Sequence, residues 1–482
     1  MFIGREQELR FFEDKYSASG GQLLVLYGRR RIGKTELLRK FCEDKPHVFY
    51  SCREATDAEQ IKAFSERVLS VGIPAAKYVS AFPDWDAAFR SVAELPSNGR
   101  KRLLVIDEFP YMRKGNPSIP SILQNLWDET LKDQNVMLIL CGSAMRFIEK
   151  DLLSEKRPLY GRATGIYKMN EMPFHDAIEF FPNYSDEDKV LAYAVLGGIP
   201  HYLRRFDEKL SLDENIVENV LTKGCALYSE VEFLLRQELR EVALYNTIIE
   251  AIALGNTRLN DIHTKTRIDK SKISVYLKNL MDLGIVRREF SVLAGDKEKA
   301  SSARGLYGVT DNFFRFWFGF VFTNLSDLES GDSAGVYRHF VSPQLNEFAA
   351  PVFERICREF TAKLNREGRL PFRAARVGRW WGKSNRIETA ATGEPQRVSY
   401  ETEIDVMATD KGAKNILLGE CKFRNSEVTR SDLEKLAGKY APDKATIQYA
   451  LFSKSGFSRE LTEEAGKRQN LSLYTLADIL KG

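Results

Sequence analysis

The stretch Gly28-Arg29-Arg30-Arg31-Ile32-Gly33-Lys34-Thr35, entered from the apolar run Leu23-Leu24-Val25-Leu26-Tyr27, constrains this chain more than any other. It fits the pattern G-x-x-x-x-G-K-[ST], and Glu36-Leu37-Leu38-Arg39-Lys40-Phe41 supplies the helix that should follow. Gly28 and Gly33 let the backbone turn its N–H groups inward, and the helix N-terminus makes that hollow still more favourable to anions. Lys34 then reaches β- and γ-phosphates, while Thr35 offers a hydroxyl to Mg²⁺, which prefers oxygen ligands. Gly28 through Thr35 is therefore read as an ATP site. A plain Gly-bounded strand-to-helix turn is the competing account, and the flanking strand and helix argue against it.

A second apolar run, Arg102-Leu103-Leu104-Val105-Ile106-Asp107-Glu108, ends in two carboxylates and predicts a strand buried on both faces of a parallel sheet. At its carboxyl end Asp107 would hold Mg²⁺ through water, and Glu108 would orient the attacking water. A third run, Val136-Met137-Leu138-Ile139-Leu140-Cys141, leads to Gly142-Ser143, where Ser143 is placed to sense the γ-phosphate or simply to make a turn. Phe2-Ile3-Gly4-Arg5-Glu6 precedes an amphipathic segment and reads as a structural cap.

These landmarks, with Pro158-Leu159-Tyr160-Gly161-Arg162 and Gly197-Gly198-Ile199-Pro200, resemble the archaeal-type ATPases of the STAND branch of AAA+ proteins. The resemblance implies a nucleotide-gated switch or ATPase in which Ser143 is the sensor and Arg162 an arginine finger or sensor. It also implies that the Gly-Gly-Ile-Pro turn opens a small helical lid. The implied fold is a P-loop NTPase core over residues 1–165 with a lid over 166–240.

A length of 482 residues predicts about three domains, and 43% hydrophobic residues suffice for several cores. No apolar stretch is long enough to span a bilayer and no leader-like pattern opens the chain, so a cytoplasmic protein without membrane contact is expected. The cysteines, Cys42, Cys52, Cys141, Cys225, Cys357 and Cys421, form no C-x-x-C pair and read as reduced, mostly buried thiols. A net charge of +4 is too small to declare a nucleic-acid partner, so that question turns on where the charge lies.

Within 241–325 the spacing predicts a helix at Leu259-Asn260-Asp261-Ile262-His263 and a second from Asp269, with Ile273, Tyr276, Leu277 and Leu280 on its inner face. Ile285–Arg288 and Gly305–Val309 would be strands around a flexible loop, giving a winged helix-turn-helix. From Arg258 to Glu289 eight Lys or Arg face four Asp or Glu, and Lys270, Lys272 and Lys278 are expected outward. Phosphate contact with DNA and packing on other domains are both open uses. The run Asn312–Phe322 is too short for a membrane and reads as an interdomain hydrophobic helix, and Ser326–Gly335 reads as a linker.

The last segment, 336–482, carries a second constellation. Alternation places Glu403 and Asp405 on one face of one strand, and Glu420 and Lys422 on one face of the next. Two carboxylates and a lysine would thus meet across a β-hairpin, with Asp405 and Glu420 as ligands of Mg²⁺ or Mn²⁺ and Lys422 assisting the attacking hydroxide. These residues resemble the PD-(D/E)xK nucleases, in the domain of unknown function often fused to archaeal-type ATPases. The first motif here is Ile404-Asp405 rather than Pro-Asp. The resemblance implies a restriction-endonuclease-like α/β domain and gives Glu354 the role of the superfamily's helix carboxylate. Arg369 to Arg386 adds six basic residues, no acids and Trp380-Trp381, either a flank for a nucleic-acid backbone or a solvated loop with tucked tryptophans.

The whole chain is thus expected to be an α/β multidomain ATPase with DNA as partner and with self-association left open. Three functions are carried forward: an ATP-dependent DNA-binding or DNA-cutting enzyme, a nucleotide-gated regulator or scaffold that cuts nothing, and, ranked last for want of helicase motifs, a nucleic-acid motor.

Overall fold

In the computed structural model, residues 2–155, 157–300, 305–389, 395–440, 442 and 444–481 are described. By its internal contacts the chain divides into two units, Met1–Asp176 with Gly198–His201, and Ala177–Gly197 with Tyr202–Gly482.

The first unit is built on a sheet whose central strands are buried along nearly their whole length, because both faces there are covered, while its edge strands are partly exposed. Helix α1 (Glu6–Ser17) leads to β1 (Gln22–Tyr27), which is buried throughout and runs into α2 (Lys34–Cys42). Then come β2 (His47–Ser51), β3 (Arg102–Asp107), α3 (Phe109–Gly115), α4 (Ile119–Glu129), β4 (Val136–Gly142) and β5 (Gly165–Lys168). The order is β2-β3-β4-β1-β5, every pair parallel. The carboxyl ends of β1, β3 and β4 therefore bring Gly28, Asp107 and Ser143 to one edge of the sheet. Pairing of Val25, Leu26 and Tyr27 with Ile166, Tyr167 and Lys168 puts these last three in the sheet, so a core boundary at 165 divides a strand.

In the second unit α5 (Asp186–Leu196) is buried along most of its length and packs against the aromatic helix α9 (Asn312–Phe316). Between them in sequence lie α6 (Val242–Ala253), α7 (Leu259–Thr266), α8 (Lys270–Asp282) and the antiparallel pair β6 (Val286–Glu289) and β7 (Leu306–Val309). The β6–β7 connection contains a helical turn, Asp296–Ala300; its remaining residues 301–304 lie outside the described set. Phe313, Phe314, Phe316, Trp317 and Phe318 are all buried, and Trp317 Nε1 donates to the Tyr228 carbonyl at 2.7 Å.

Ser326–Gly335 is not a linker. Leu325–Glu329 and Ser333–Val336 are helical, Leu328 and Val336 are buried, and Asp332 caps the second turn by accepting from Gly335 N at 2.9 Å. Of the residues that suggest a loop, Ser330 is the C-cap of the first of these helices and Asp332 the N-cap of the second.

Helix α10 (Leu345–Arg366) then packs on a mixed sheet made of β8 (Arg376–Thr389), β9 (Pro395–Thr409), β10 (Asn415–Lys422), β11 (Thr446–Ser453) and β12 (Leu471–Thr475), in the order β12-β11-β10-β9-β8. The β8–β9 and β9–β10 pairs are antiparallel, and the remaining two are parallel. Helix α11 (Arg430–Lys439) covers β9 and β10. Most of the basic stretch 369–386 is strand rather than solvated loop, with Trp380 buried; the side chain of Arg386 lies outside the described set.

Candidate functional site

The loop after β1 is shaped by two glycines. A Cβ on Gly28 would lie 2.3 Å from the Met169 carbonyl and 2.5 Å from Ile32 Cδ1, and Gly33 takes φ +92°, a region that favours glycine. Ile32 is buried and plugs the loop from below, while Arg29, Arg30 and Arg31 are half-buried around it. Lys34 is 6% exposed, and its Nζ donates to the carbonyls of Gly28 at 2.9 Å and Arg29 at 2.8 Å. Burial pushes its pKa down, against the pull of Cys141, Glu108 and Asp107. An ammonium enclosed among loop carbonyls gains from any anion seated in the loop.

Thr35 Oγ1 donates to Asp107 Oδ2 at 2.7 Å, so a hydroxyl and a carboxylate from α2 and β3 meet beside Lys34. This pair fits a small hard cation with a mostly water shell. Glu108 follows in a left-handed backbone conformation, φ +52°, at the start of α3. That geometry turns its carboxylate toward the end of β4, where Glu108 Oε2 accepts from Ser143 Oγ at 2.9 Å and Ser143 N at 3.2 Å. Ser143 is thus a partner of Glu108.

Arg162, expected as a finger or sensor, is tied to Asp128. It donates to both carboxylate oxygens of Asp128, at 2.6–3.0 Å, and to the Pro158 and Tyr160 carbonyls. A residue that reads in the sequence as part of a cap joins the loop instead: Arg5, 5% exposed, donates to the Ile32 carbonyl at 3.1 Å and pairs with Glu8 at 2.9 Å. Sequence shows only its place before an amphipathic segment, because the contact spans 27 residues.

In the second unit the Gly419–Val406 pairing sets Asp405 opposite Glu420 across β9 and β10. Each is 7% exposed. Asp405 Oδ2 accepts from Cys421 N at 2.8 Å; burial first, then Glu354 and Glu420, push its pKa up to about 7. Glu354 on α10 lies 3.6 Å from Arg358, and burial raises its pKa against the opposing pull of Arg379 and Arg358. Lys422 Nζ donates to Glu420 Oε1 at 2.7 Å, and Lys439 Nζ, from the last turn of α11, donates to Glu420 Oε2 at 2.6 Å. Burial alone would lower the Lys422 pKa, but the bond to Glu420 leaves it raised.

Four expected residues therefore converge, and Lys439 joins them unannounced, since nothing in its spacing from Glu420 signals the contact. A cation on Asp405 and Glu420, as expected from the sequence, would compete with the ammonium groups that hold Glu420. Each oxygen of Glu420 already holds an ammonium, and among the described residues no group of three or more His, Cys, Asp or Glu is placed to hold a metal ion.

Helix α8 begins at Asp269, which accepts from Ser271 N at 2.8 Å, and buries Ile273, Tyr276, Leu277 and Leu280. Lys270, Lys272 and Lys278 point outward as expected, together with Val275, which is 59% exposed. Arg288 of β6 is not part of that face; it lies over the Phe290 ring at 4.7 Å.

Two families of known proteins match parts of the chain. Residues 2–206 match a family described as an ATPase domain predominantly from Archaea, and residues 317–435 match one described as Archaea bacterial proteins of unknown function. The uncharacterized protein MJECL04 of Methanocaldococcus jannaschii is 32% identical over 464 residues, 95% of this chain and all of that protein. The uncharacterized ATP-binding protein MJ0423 of the same organism is 51% identical over 45 residues, 9% of this chain and 76% of that one. Among solved structures, the Walker-type ATPase PABY2304 of Pyrococcus abyssi aligns with a TM-score of 0.47 and 22% identity, covering 66% of this chain and 96% of that one. The ORC2 protein of Aeropyrum pernix aligns with a TM-score of 0.43 and 12% identity, covering 68% and 93%. No helix among the described residues is long and apolar enough to cross a membrane.

Proposed function

Because the chain belongs to one family with protein MJECL04, and matches an archaeal ATPase domain followed by a C-terminal domain of unknown function, we propose that it binds and hydrolyses ATP and couples nucleotide state to DNA contact. The observation that carries this reading is the meeting of Thr35 with Asp107 at 2.7 Å beside the buried Lys34. Gly28 to Gly33 cradle the phosphates with backbone N–H groups, and Lys34 offsets the charge that develops on the β- and γ-phosphates. When bound, Mg²⁺ would sit at Thr35 and Asp107 and neutralise phosphate charge. Glu108 orients the attacking water, and Ser143 holds Glu108 in place.

In this reading the helical stretch that follows β5, up to residue 240, is the lid that the resemblance implies, and α6 to β7 form a winged helix whose α8 lysines touch DNA phosphates. What supports the latter is the outward row of Lys270, Lys272 and Lys278 on a helix whose other face is fully packed. The test is titration of the full chain with ATP and Mg²⁺, then with DNA in the presence of each nucleotide. Affinity for DNA should change with nucleotide state.

A second reading, a metal-dependent nuclease in the PD-(D/E)xK-like domain, is favoured by Asp405 opposite Glu420 with Lys422 at 2.7 Å. Cleavage would require Lys439 to release Glu420. Without that release the domain is the binding platform of a nucleotide-gated regulator. Incubation of plasmid DNA with Mg²⁺ or Mn²⁺, with and without ATP, separates the two: cutting that Asp405→Ala abolishes establishes the nuclease, and intact DNA in every nucleotide state establishes the platform.

A further inference from the structure

Within the second unit a cleft of ≈890 Å³ opens between the β6–β7 hairpin, helices α9 and α10 and the β8–β9 hairpin. Its walls carry Arg258, Arg287, Arg315, Arg379 and Lys383, with Glu289, Glu347, Glu401 and Glu403 interspersed among them. Arg258 pairs with Glu401 at 2.9 Å and Arg379 with Glu403. Arg315 is held differently. Its guanidinium lies over the Phe348 ring at 4.0 Å and donates to the Phe348 carbonyl, while its Nε is buried without a hydrogen-bond partner. Among the described residues no carboxylate lies within ion-pairing distance of it. Burial, and then Arg355 and Arg287, pull its pKa below the usual arginine range, with Glu354 opposing them. A cation so enclosed and crowded by like charge is unfavourable unless an anion completes it.

We propose that this cleft is a phosphate-binding site centred on Arg315, and that its occupant is the phosphodiester backbone of a nucleic-acid strand. Planar guanidinium donors suit phosphate oxygens, and half-buried Trp381 on the cleft wall offers an aromatic face to a base. The cleft also leads to the acidic cluster: Arg379 and Glu403 line it, and both act electrostatically on Glu354. A strand held by Arg315 would thus lie along the wall that carries Arg379 and Glu403. This inference rests on the DNA reading and gives it a second contact surface, separate from the α8 lysines.

The test uses the full chain and labelled single-stranded and duplex oligonucleotides over a salt series. Arg315→Gln should weaken single-strand binding by about tenfold and lower the salt slope by about 0.7, the share of a single phosphate. Arg315→Lys should restore most of the affinity. In DNA-free buffer Arg315→Gln should melt no lower than wild type, because a crowded cation has been removed; a purely structural arginine would behave in the opposite way. Should Arg315→Gln fail to fold, Lys383→Ala at the exposed rim should show the same drop in affinity and slope. If Arg315→Gln and Lys383→Ala bind like wild type while the Lys270→Ala/Lys272→Ala double variant is weakened, the cleft proposal falls and the α8 reading stands. If the double variant binds normally and Arg315→Gln does not, the cleft stands and α8 is excluded. Failure of wild type to bind either oligonucleotide in any nucleotide state overturns both.

Discussion

Ser143 and Glu108 are joined twice, the serine hydroxyl at 2.9 Å and its backbone N–H at 3.2 Å both donating to one carboxylate oxygen of Glu108. The bond crosses from the end of β4 to the start of α3 and fixes a side chain whose backbone already sits at φ +52°. Orientation of the Glu108 carboxylate is thereby shared between backbone and serine.

Ser143→Ala should remove one charge-assisted hydrogen bond, worth about 1.5–3 kcal/mol, and leave the N–H bond in place. Steady-state ATPase assays should show kcat lower by about 10- to 100-fold with nucleotide affinity nearly unchanged. An equal fall in binding would instead make Ser143 a direct contact of the nucleotide.

Asp405 supplies a test by pH. Its folded pKa, about 7, lies above the ordinary carboxylate value, so the folded state holds the proton more tightly than the unfolded state does. The stability linked to Asp405 is complete below the unfolded value and is lost as pH rises through about 7. Urea midpoints of wild type and Asp405→Asn should therefore diverge between pH 4 and pH 7 in favour of the asparagine variant, with a slope of at most about 1.4 kcal/mol per pH unit. Parallel curves would mean that Asp405 is ionised in the fold like an exposed carboxylate.

For the α8 face, Lys270→Ala with Lys272→Ala should weaken duplex binding and flatten its salt dependence, by about one slope unit for each phosphate that a lysine no longer neutralises. Both side chains are exposed, so melting temperature should stay near wild type. Unchanged affinity across the salt series would assign the face to protein contact.

Much of this architecture is legible in the sequence because local pattern and chemistry coincide. The continuous apolar runs around Val25, Val105 and Ile139 fit doubly covered strands, and the alternation about Ile404 and Leu418 puts Glu403 with Asp405 on one face of β9 and Glu420 with Lys422 on one face of β10, while the Gly419–Val406 register brings the two sets together. Parity does not show what arrives from elsewhere. Lys439 reaches Glu420 from the end of a helix, Arg5 reaches the phosphate loop from just before the first helix, and Arg315 hides in an aromatic run that reads as core. Each is a long-range contact of a charged residue, and such residues have no periodic signature. The mistaken linker at Ser326–Gly335 has the opposite cause: capping residues of short helices have the composition of a loop.

The central claim, a nucleotide site built on Lys34 with Glu108 as its hydrolytic group, is tested most directly by calorimetric titration of ATP with Mg²⁺ into the full chain, paired with phosphate release. Wild type and Glu108→Gln should both bind, Glu108→Gln should turn over at least about 100-fold more slowly, and Lys34→Ala should show no binding. Binding by Lys34→Ala equal to that of wild type, or no binding by wild type, would contradict it.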